Sequence, residues 1–417
     1  MNQTMNPITL TQDQQNALTA FTAFLADEAA PVFVLKGYSG TGKSTMIKEL
    51  IAQLPTIYKT IRLISPKFPS YELKFTATTN KAVENFSQLI GQEVTTIHSF
   101  LGLTVQTDYK TNKSKLVLRQ YEEKKDFLLF IDEGSYIGPE LMKYVFQLCK
   151  HCKIVFIGDP AQLVEVGSSY APVFEAGFPE ACLTQVVRQA AGNPIIDLAT
   201  KFRETVKSGE FFSFTPDDNH IKYLPRDEFN AAVLNEFQQA NWNPQVSKVL
   251  AWTNATVIQY NKGIRDHAKG SPDLSVGDYV VCNQYFQKGK MSLKADQSVM
   301  ITHVSDPVVE LGVRGKFYIV NGIQAFCPDH LGEKQERLKQ AKQEDDLNTS
   351  RVISEEWIDL RAEYACTINK SQGSTYDRVF IDLDDIKKCN NGNLVARMLY
   401  VGVSRARKQV IFTGDLV

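Results

Sequence analysis

Eight consecutive residues, GYSGTGKS at positions 37–44, have the spacing of a G-x-x-x-x-G-K-[ST] phosphate loop. In such a loop the backbone N–H groups point at the β-phosphate, the lysine places its charge across the β- and γ-phosphates, and the next hydroxyl ligates Mg²⁺. The pattern therefore predicts a nucleoside triphosphate site. The residues it assigns to that site are Gly37, Ser39, Gly40, Thr41, Gly42, Lys43 and Ser44.

Two adjacent carboxylates, Asp132 and Glu133, follow a second apolar stretch, residues 128–131. At a strand end beside the phosphate loop, Asp132 can hold the water shell of Mg²⁺, while Glu133 can polarise the water that attacks the γ-phosphate. Gln162 lies at the tip of the turn after the apolar stretch 153–157, where an amide can sense the γ-phosphate and pass its state to neighbouring elements. The second acid favours hydrolysis over phosphoryl transfer to a metabolite.

The elements that would position these residues are apolar strand candidates separated by helical stretches. A helix is predicted from Lys43 to about Gln53, and another over residues 193–203. This alternation indicates an α/β fold with two parallel sheets, each with helices on both faces. No internal repeat is evident. The strand candidates are residues 32–35, 74–77, 127–131, 153–157, 249–252, 378–381 and 409–413.

Two inserts interrupt the alternation. Residues 104–125 alternate polar and β-prone types around a polar tip, which predicts an exposed hairpin. Residues 276–321 contain short strand candidates at even spacing, which suits a small β-barrel. The strongly charged stretch 330–350 is interpreted as a helix or a flexible connector.

The composition limits the classes of partner. A net charge of −1 over 417 residues means that the chain does not coat polyanions with its whole surface, so any nucleic-acid site must be a local groove. No apolar run of membrane-spanning length and no N-terminal signal pattern is present, so residence in a bacterial or phage-infected cytosol is expected. The seven cysteines predict reduced thiols, and the C-x-x-C at Cys149 and Cys152 is interpreted as packed thiols.

With Asp132-Glu133-Gly134-Ser135 and Gly158-Asp159-Pro160-Ala161-Gln162 both present, the chain resembles the superfamily 1 helicases. Further motifs are similar to those of the RecD-like, 5′-to-3′ group. The resemblance implies that Gln14 reads adenine, that Arg188 and Arg405 reach the γ-phosphate from a second domain, and that Gly373 lies at the nucleotide. The segments that carry it are residues 10–17, 76–82, 96–100, 183–189, 367–375 and 399–407.

The resemblance also implies single-strand contacts from residues 76–82 and 96–100, and a duplex-splitting pin at the hairpin insert. Short polar side chains near strand ends suit phosphates, which carry no sequence information, so sequence-independent binding is expected. The residues assigned to the DNA strand are Thr79, Asn80, Lys81, His98, Thr253, Asn254, Thr367, Asn369 and Lys370. Those assigned to the pin are Tyr109, Lys110 and Lys113.

The implied fold is two RecA-like parallel-sheet domains in tandem, with the nucleotide between them. The first comprises residues 1–103 and 126–183, with the hairpin insert 104–125, and the second comprises residues 184–275 and 351–417, with the barrel insert and connector 276–350. Two arginines remote from the phosphate loop can neutralise transition-state charge only when the domains close, so ATP would clamp the domains and hydrolysis would release them.

The expected function is that of an ATP-dependent DNA helicase that moves 5′ to 3′ on single-stranded DNA, unwinds forked duplex, uses Mg²⁺ with ATP and acts as a monomer. A translocase that strips bound proteins with little unwinding, and an RNA helicase, stay open as alternatives. A single-strand-binding or replication protein is kept as a further partner. From other classes, a kinase or GTPase switch would not need two remote arginines, and a pure nucleic-acid-binding module would leave Asp132 and Glu133 idle.

Overall fold

The computed structural model describes residues 10–108, 113–165, 168, 170–185, 192–217, 219–271 and 273–416. The chain divides into two compact units, Met1–Gly192 and Asn193–Val417. Each unit is built on one parallel sheet, and the predicted α/β fold class is confirmed. The predicted limits of the two inserts remain predictions.

The first unit alternates strands and helices from its start. Its helices are α1 (Gln12–Ala26), α2 (Lys43–Ile64), α3 (Asn80–Ile90), α4 (Ile97–Leu101) and α5 (Pro139–Leu148). Its strands are β1 (Val32–Gly37), β2 (Glu72–Ala77), β3 (Thr95–Thr96), β4 (Leu103–Asp108), β5 (Lys113–Leu118), β6 (Lys124–Lys125), β7 (Phe127–Asp132), β8 (Cys149–Lys150), β9 (Lys153–Gly158) and β10 (Glu180–Leu183).

Six of these strands form the first sheet in the order β10-β1-β9-β7-β2-β3, and all neighbours are parallel. Along β1, Phe33 and Leu35 pack into one hydrophobic cluster, whereas Val32 and Val34 pack into the cluster on the opposite face. Both faces of the sheet are therefore covered, which is why its strands read as uninterrupted apolar runs. Their carboxyl ends meet at one edge, which is where the candidate site lies.

Helix α2 is longer than predicted. It continues to Ile64 with Pro55 inside it, so the predicted end near Gln53 is wrong. A proline removes one helical hydrogen bond. The apolar face of α2 nevertheless extends beyond the proline, because Ile57 and Ile61 are buried in the same cluster as Leu50. Burial of that face keeps the second half helical.

The second unit contains the second parallel sheet and an antiparallel insert. Its helices are α6 (Pro194–Ser208), α7 (Arg226–Phe237), α8 (Asn254–Lys269), α9 (Leu331–Gln343), α10 (Leu347–Glu355), α11 (Ile368–Ser371), α12 (Leu383–Ile386) and α13 (Gly392–Ser404). Its strands are β11 (Ile221–Tyr223), β12 (Ser247–Ala251), β13 (Tyr279–Cys282), β14 (Phe286–Lys288), β15 (Met291–Leu293), β16 (Gln297–Val304), β17 (Val308–Glu310), β18 (Val313–Val320), β19 (Ile323–Pro328), β20 (Leu360–Ala362), β21 (Ala365–Thr367), β22 (Tyr376–Asp382) and β23 (Ala406–Thr413).

The second parallel sheet has the order β11-β23-β22-β12-β21. The insert is an antiparallel sheet, β17-β18-β16-β13-β20 with β19 paired to β18, and the core of this half-barrel includes Val280, Ile301 and Val320. The charged stretch 330–350 is largely helical, in α9 and α10, which matches the first of its two predicted forms. Among the helices of the described residues, none has the length and apolar character that crossing a membrane would need.

Candidate nucleotide site and strand-binding segments

The loop between β1 and α2 needs glycine at three positions. Gly40 and Gly42 both have φ of 82°, in the left-handed region that favours glycine. At Gly37 the constraint is space, because an added Cβ would lie 2.7 Å from Cγ of Lys43. The buried hydroxyl of Thr41 donates to a carbonyl of the same loop at 2.8 Å and closes the loop from inside. The glycines of the sequence pattern are therefore required by the backbone that this loop adopts.

Lys43 begins α2, and its ammonium lies against the loop. Nζ donates to the carbonyl oxygens of Gly37 at 2.5 Å and Tyr38 at 3.1 Å. Gly42 is the N-cap of α2 and offers no side chain to the first N–H groups of the helix, an arrangement that suits a bound anion. Ser44 is exposed, so its hydroxyl is accessible to a metal ion. The donor set fits a magnesium-bound phosphate chain.

Asp132 ends β7, at the same edge of the sheet as the loop. Burial raises the pKa of Asp132, while the N–H of Glu133 and the ammonium of Lys43 act to lower it. Glu133 has φ of 54°, and its N–H donates to Oδ1 of Asp132 at 2.9 Å. Gln162, in the turn after β9, is buried. The structure therefore brings these predicted residues to the carboxyl ends of neighbouring parallel strands, where open α/β sheets bind ligands.

Gln14 lies in the first turn of α1 with its side chain 2% exposed. Its Oε1 accepts the N–H of Thr11 at 3.1 Å, and the Thr11 hydroxyl accepts the N–H of Gln14 at 3.3 Å, so the two form a capping box. Within the described residues the Nε2 of Gln14 has no hydrogen-bond partner. A buried amide donor without an acceptor is costly, so this geometry suits a ligand with a ring-nitrogen acceptor, such as adenine.

Asp13, the residue before Gln14, was not singled out in the sequence. Its Oδ2 accepts the N–H and the hydroxyl of Thr184, both at 2.7 Å, and the N–H of Gln185 at 3.0 Å. These bonds hold the pKa of Asp13 below its ordinary value. Asp13 thus ties α1 to the segment that leads to Arg188. Arg188 itself lies outside the described residues.

Arg405 follows α13 in the second unit and is 6% exposed. Its guanidinium donates to the carbonyls of Val401 and Ser374, and to the hydroxyl of Ser404 at 2.7 Å. In the part of the chain that the structure describes, no carboxylate pairs with it. Gly373, with φ of 79°, lies next to Ser374, so the structure brings Arg405 beside the predicted nucleotide residue Gly373. A nearly buried cation that contacts only neutral oxygens is suited to an anionic ligand.

Four threonines cap helices at the carboxyl ends of neighbouring strands. Thr79 caps α3 by accepting the N–H of Ala82 at 3.2 Å, and Thr253 caps α8 by accepting the N–H of Thr256 at 3.3 Å. Thr96 and Thr367 cap the short helices α4 and α11 in the same way. The pairs β2/β3 and β12/β21 are both parallel, so each unit presents two capped helix starts side by side. Asn80 and Asn254 are the first residues of α3 and α8, where helix N–H groups can contact phosphate oxygens.

The basic and imidazole side chains assigned to DNA are held in different ways. Lys81 pairs with Glu84 at 3.2 Å. Lys370 pairs with Asp296 at 2.6 Å and also donates to Asn283 at 2.9 Å. His98 lies in helix α4 rather than at a strand end, and burial lowers its pKa, so its ring is neutral near pH 7. Asn369 lies beside Lys370 in α11.

The hairpin insert is confirmed as two antiparallel strands, paired from Leu103 with Leu118 to Asp108 with Lys113. Lys113 is thus the first residue of β5. The hairpin is bound to α5, because the N–H of Leu116 donates to Oε1 of Glu140 at 3.3 Å. The predicted pin residues Tyr109 and Lys110 lie outside the described residues.

The family model described as "AAA domain" matches residues 9–224, and the one described as "UvrD-like helicase C-terminal domain" matches residues 363–413. The first match covers more than half of the chain, so the chain belongs to the AAA domain family, and with its two RecA-like sheets it is a superfamily 1 helicase. Within that superfamily it is Dda-like: it is 26% identical to the ATP-dependent DNA helicase dda of Enterobacteria phage T4, over 97% of this chain and 99% of that protein.

A second relative is the ATP-dependent RecD2 DNA helicase of Deinococcus radiodurans, 31% identical over 40% of this chain and 21% of the relative. Solved structures of Pif1 helicases share the fold. A structure of two coordinating Pif1 helicases unwinding forked dsDNA has a TM-score of 0.56 at 17% identity, and covers 98% of this chain and 93% of that chain. Pif1 from Bacteroides in complex with ADP-AlF3 and ssDNA has a TM-score of 0.51 at the same identity and coverage.

Proposed function

We propose that this chain is an ATP-dependent DNA helicase that moves 5′ to 3′ along single-stranded DNA and unwinds duplex. One observation carries the proposal: the phosphate loop, Asp132, Glu133 and the cap at Thr79 all lie at the carboxyl edge of one parallel sheet. Nucleotide and strand would then bind to loops of the same rigid element. The T4 relative, which matches almost the whole chain, is named an ATP-dependent DNA helicase, and this supports the assignment.

In the proposed reaction Lys43 and the N–H groups of the loop bind the β- and γ-phosphates, and the Nε2 of Gln14 selects adenine. Magnesium, held by Ser44 directly and by Asp132 through water, would neutralise phosphate charge when bound. Glu133 takes the proton from the attacking water, and Gln162 senses whether the γ-phosphate is present. Attack by this water breaks the bond from the γ-phosphorus to the β–γ bridging oxygen and releases ADP, and Arg188 and Arg405 stabilise the negative charge on the γ-phosphoryl group in the transition state.

Strand binding is assigned to the capped helix starts. The cap hydroxyl of Thr79 accepts a helix N–H and keeps its own O–H as a donor. Phosphates are therefore assigned to that hydroxyl, to the remaining helix N–H groups and to the amides of Asn80, Asn254 and Asn369. Lys81 and Lys370 add positive charge. His98, because it is neutral, acts as a hydrogen-bonding group and not as a cation. Contacts of this kind carry no base specificity, so binding is expected to be sequence-independent.

The first test is ATP hydrolysis with and without a single DNA strand. We expect stimulation by DNA and little stimulation by an RNA strand of equal length. Lys43→Ala serves as the control for contaminating ATPase. Equal stimulation by RNA would support an RNA helicase instead. No stimulation by either strand would contradict the helicase assignment.

The second test is unwinding of duplexes that carry only a 5′ tail or only a 3′ tail. The 5′-to-3′ direction is drawn from the RecD-like resemblance, so a preference for the 5′ tail is expected. A shortened hairpin lacking residues 108–116 should lose unwinding and keep DNA-stimulated hydrolysis, because Tyr109, Lys110 and Lys113 are assigned to the pin. If this variant unwinds normally, the pin assignment is wrong and a translocase that displaces bound proteins becomes the better function.

A further inference from the structure

Two threonine hydroxyls, one near the end of β2 and one just after it, donate to backbone carbonyls near the end of β7 and just after it. Backbone pairing between these parallel strands ends at Ala77 and Asp132. Inside the ladder, the buried hydroxyl of Thr76 donates to the carbonyl of Phe130 at 3.1 Å. Beyond the ladder, the hydroxyl of Thr78 donates to the carbonyl of Glu133 at 3.2 Å. Thr78 therefore carries the connection between the strands one residue past their backbone pairing.

The carbonyl that Thr78 contacts belongs to a residue with an unusual backbone. Glu133 has φ of 54°, a left-handed conformation that costs a non-glycine residue energy and that persists where surrounding bonds hold it. Its N–H donates to Asp132, and its carbonyl also accepts the N–H of Tyr136 at 3.1 Å. The direction in which the Glu133 carboxylate leaves the backbone depends on these bonds. The bond from Thr78 links Glu133 to the residue that directly follows the neighbouring strand β2.

The other neighbour of Thr78 in the chain is the strand-binding segment. Thr79 caps α3, and Asn80 is the first residue of that helix. Thr78, which contacts Glu133, and Thr79, which caps α3, are consecutive residues. Any shift of α3 on phosphate binding would therefore act directly on the Thr78 hydroxyl.

The second unit provides an internal comparison. There β12 and β22 are parallel, with Val249 opposite Phe380 and Leu250 opposite Ile381. Continuing that register places Trp252 where the first unit has Thr78. It also places Leu383 where the first unit has Glu133. The flanking residues agree, since Ala-x-Thr-Asn occurs at 77–80 and 251–254, and Phe-Ile-Asp at 130–132 and 380–382. The Thr78 hydroxyl and the Glu133 carboxylate thus occur together in the unit that has the phosphate loop. In the second unit both are replaced, by Trp252 and Leu383.

We infer that Thr78 is a positioning residue that transmits occupation of the Thr79–Asn80 segment to Glu133, and so sets how strongly DNA stimulates ATP hydrolysis. The inference rests on the proposed helicase function. It adds a specific hydrogen bond by which the strand-binding segment acts on the hydrolytic residue.

The test compares Thr78→Val, which keeps the side-chain shape, with Thr78→Ser, which keeps the hydroxyl. An oligo-dT strand serves as the probe. In Thr78→Val the ratio of DNA-stimulated to basal turnover should fall on the order of tenfold, as expected for loss of a coupling hydrogen bond. The KM for ATP and the Kd for oligo-dT should stay within about twofold, because the Thr78 hydroxyl donates to Glu133, and within the segment 76–82 the individual DNA contacts are assigned to Thr79, Asn80 and Lys81. Thr78→Ser should restore most of the ratio.

Thr76→Val is the matched control, because it removes the same kind of hydroxyl-to-carbonyl bond between the same two strands but does not touch Glu133. It should keep the stimulation ratio. Normal stimulation in a folded Thr78→Val protein, or an equal loss in Thr76→Val, would overturn the inference. So would a large loss of oligo-dT affinity in Thr78→Val, since that would make Thr78 a binding residue. If the unsubstituted protein is not stimulated by DNA at all, the proposed function fails, which is a distinguishable result.

Discussion

In the first sheet β1 leads through a glycine loop into α2 at Lys43, whereas in the second sheet β11 leads through Leu224 and Pro225 into α7 at Arg226. The two sheets have corresponding strand orders, β1-β9-β7-β2-β3 and β11-β23-β22-β12-β21. Lys43 and Arg226 therefore occupy matching positions, each the first residue of the helix that follows a matching strand. The aspartates that end β7 and β22, Asp132 and Asp382, also match.

The matching position in the second unit is filled by an ion pair. Arg226 donates to both carboxylate oxygens of Asp382, at 2.7 and 2.8 Å, and the hydroxyl of Tyr260 donates to Asp382 at 2.7 Å. A cavity of about 560 Å³ adjoins this pair, but both cations on its wall, Arg226 and Lys388, are paired with carboxylates. An aspartate at this strand end is thus common to both units. The first unit differs in having a glycine loop, and a lysine that contacts carbonyl oxygens of that loop, at the matching position.

The strand-binding features differ much less between the units. Both keep the threonine caps, at Thr79 and Thr253, on the helix that follows the matching strand. What holds each cap segment differs: Thr78 reaches Glu133, whereas the segment at Thr253 is held by the buried carboxylate of Asp385. The first sheet therefore carries both the residues proposed for hydrolysis and capped helix starts proposed for strand binding, whereas the second unit carries capped helix starts and Arg405.

The largest effect that tests this comparison is expected when two single variants, Lys43→Ala and Arg226→Ala, are compared. Loss of Lys43 should lower ATP turnover on the order of 10²- to 10³-fold, because it removes a positive charge that is held in place to bind the phosphates. Loss of Arg226 should leave turnover per folded molecule near that of the unsubstituted protein, and lower the free energy of unfolding by about 2 kcal/mol, because Asp382 loses its partner. Steady-state ATPase assays and urea unfolding measure the two effects. A comparable loss of turnover in both variants would show that the matching positions are not functionally different.

Arg405→Ala tests whether the second unit contributes to hydrolysis. We expect ATP binding to persist and turnover to fall on the order of 10³-fold, as for loss of an arginine finger. Binding of a fluorescent ATP analogue and single-turnover hydrolysis separate the two steps. Arg405→Lys is the matched control: it keeps the charge but not the forked geometry, and should recover only part of the rate. Near-normal turnover in Arg405→Ala would leave strand binding as the second unit's only assigned role.

Much of the first sheet could be predicted from the sequence, because strands buried on both faces are continuous apolar runs and a phosphate loop has fixed spacing. The links between segments could not. Thr78 meets Glu133, and Thr253 meets Asp385, across long stretches of chain, and a hydroxyl has no partner that spacing alone reveals. Two RecA-like domains in tandem were expected, but the residue-by-residue correspondence between them was missed, since no internal repeat was predicted. The repeat lies in strand order and in a few matching residues, whereas the sequences between them differ.

Asp385→Asn tests the segment in the second unit. Asp385 is 1% exposed and accepts the N–H groups of Trp252 and Thr253, both at 2.7 Å, together with the hydroxyls of Thr253 and Thr256. Burial works to raise the pKa of Asp385, but these bonds and the ammonium of Lys388 outweigh it and hold the pKa below its ordinary value. An amide cannot accept at both ends, so the cap should lose its fixed orientation.

We expect the Asp385→Asn variant to bind oligo-dT on the order of fivefold more weakly while its KM for ATP is unchanged, the loss corresponding to about one hydrogen bond. Fluorescence anisotropy at constant salt measures the binding. Lys388→Ala is the control, because it removes a partner of Asp385 without touching the cap. Unchanged affinity for oligo-dT in Asp385→Asn would mean that the Thr253 cap keeps its orientation without the Asp385 carboxylate.

The smallest effect is expected from His98→Asn. His98 is the second residue of α4, and the matching helix of the second unit, α11, has Asn369 at its second position. Burial lowers the pKa of His98, so the folded state takes up a proton less readily than the unfolded chain. The stability that follows from this is present above the unfolded pKa, near 6.5, and is lost as pH falls through the lower folded pKa. Between pH 7.5 and pH 5 the unsubstituted protein should therefore lose unfolding free energy that His98→Asn does not lose. Urea unfolding at the two pH values measures the difference, and parallel losses in both proteins would mean that the imidazole is accessible enough to protonate without cost.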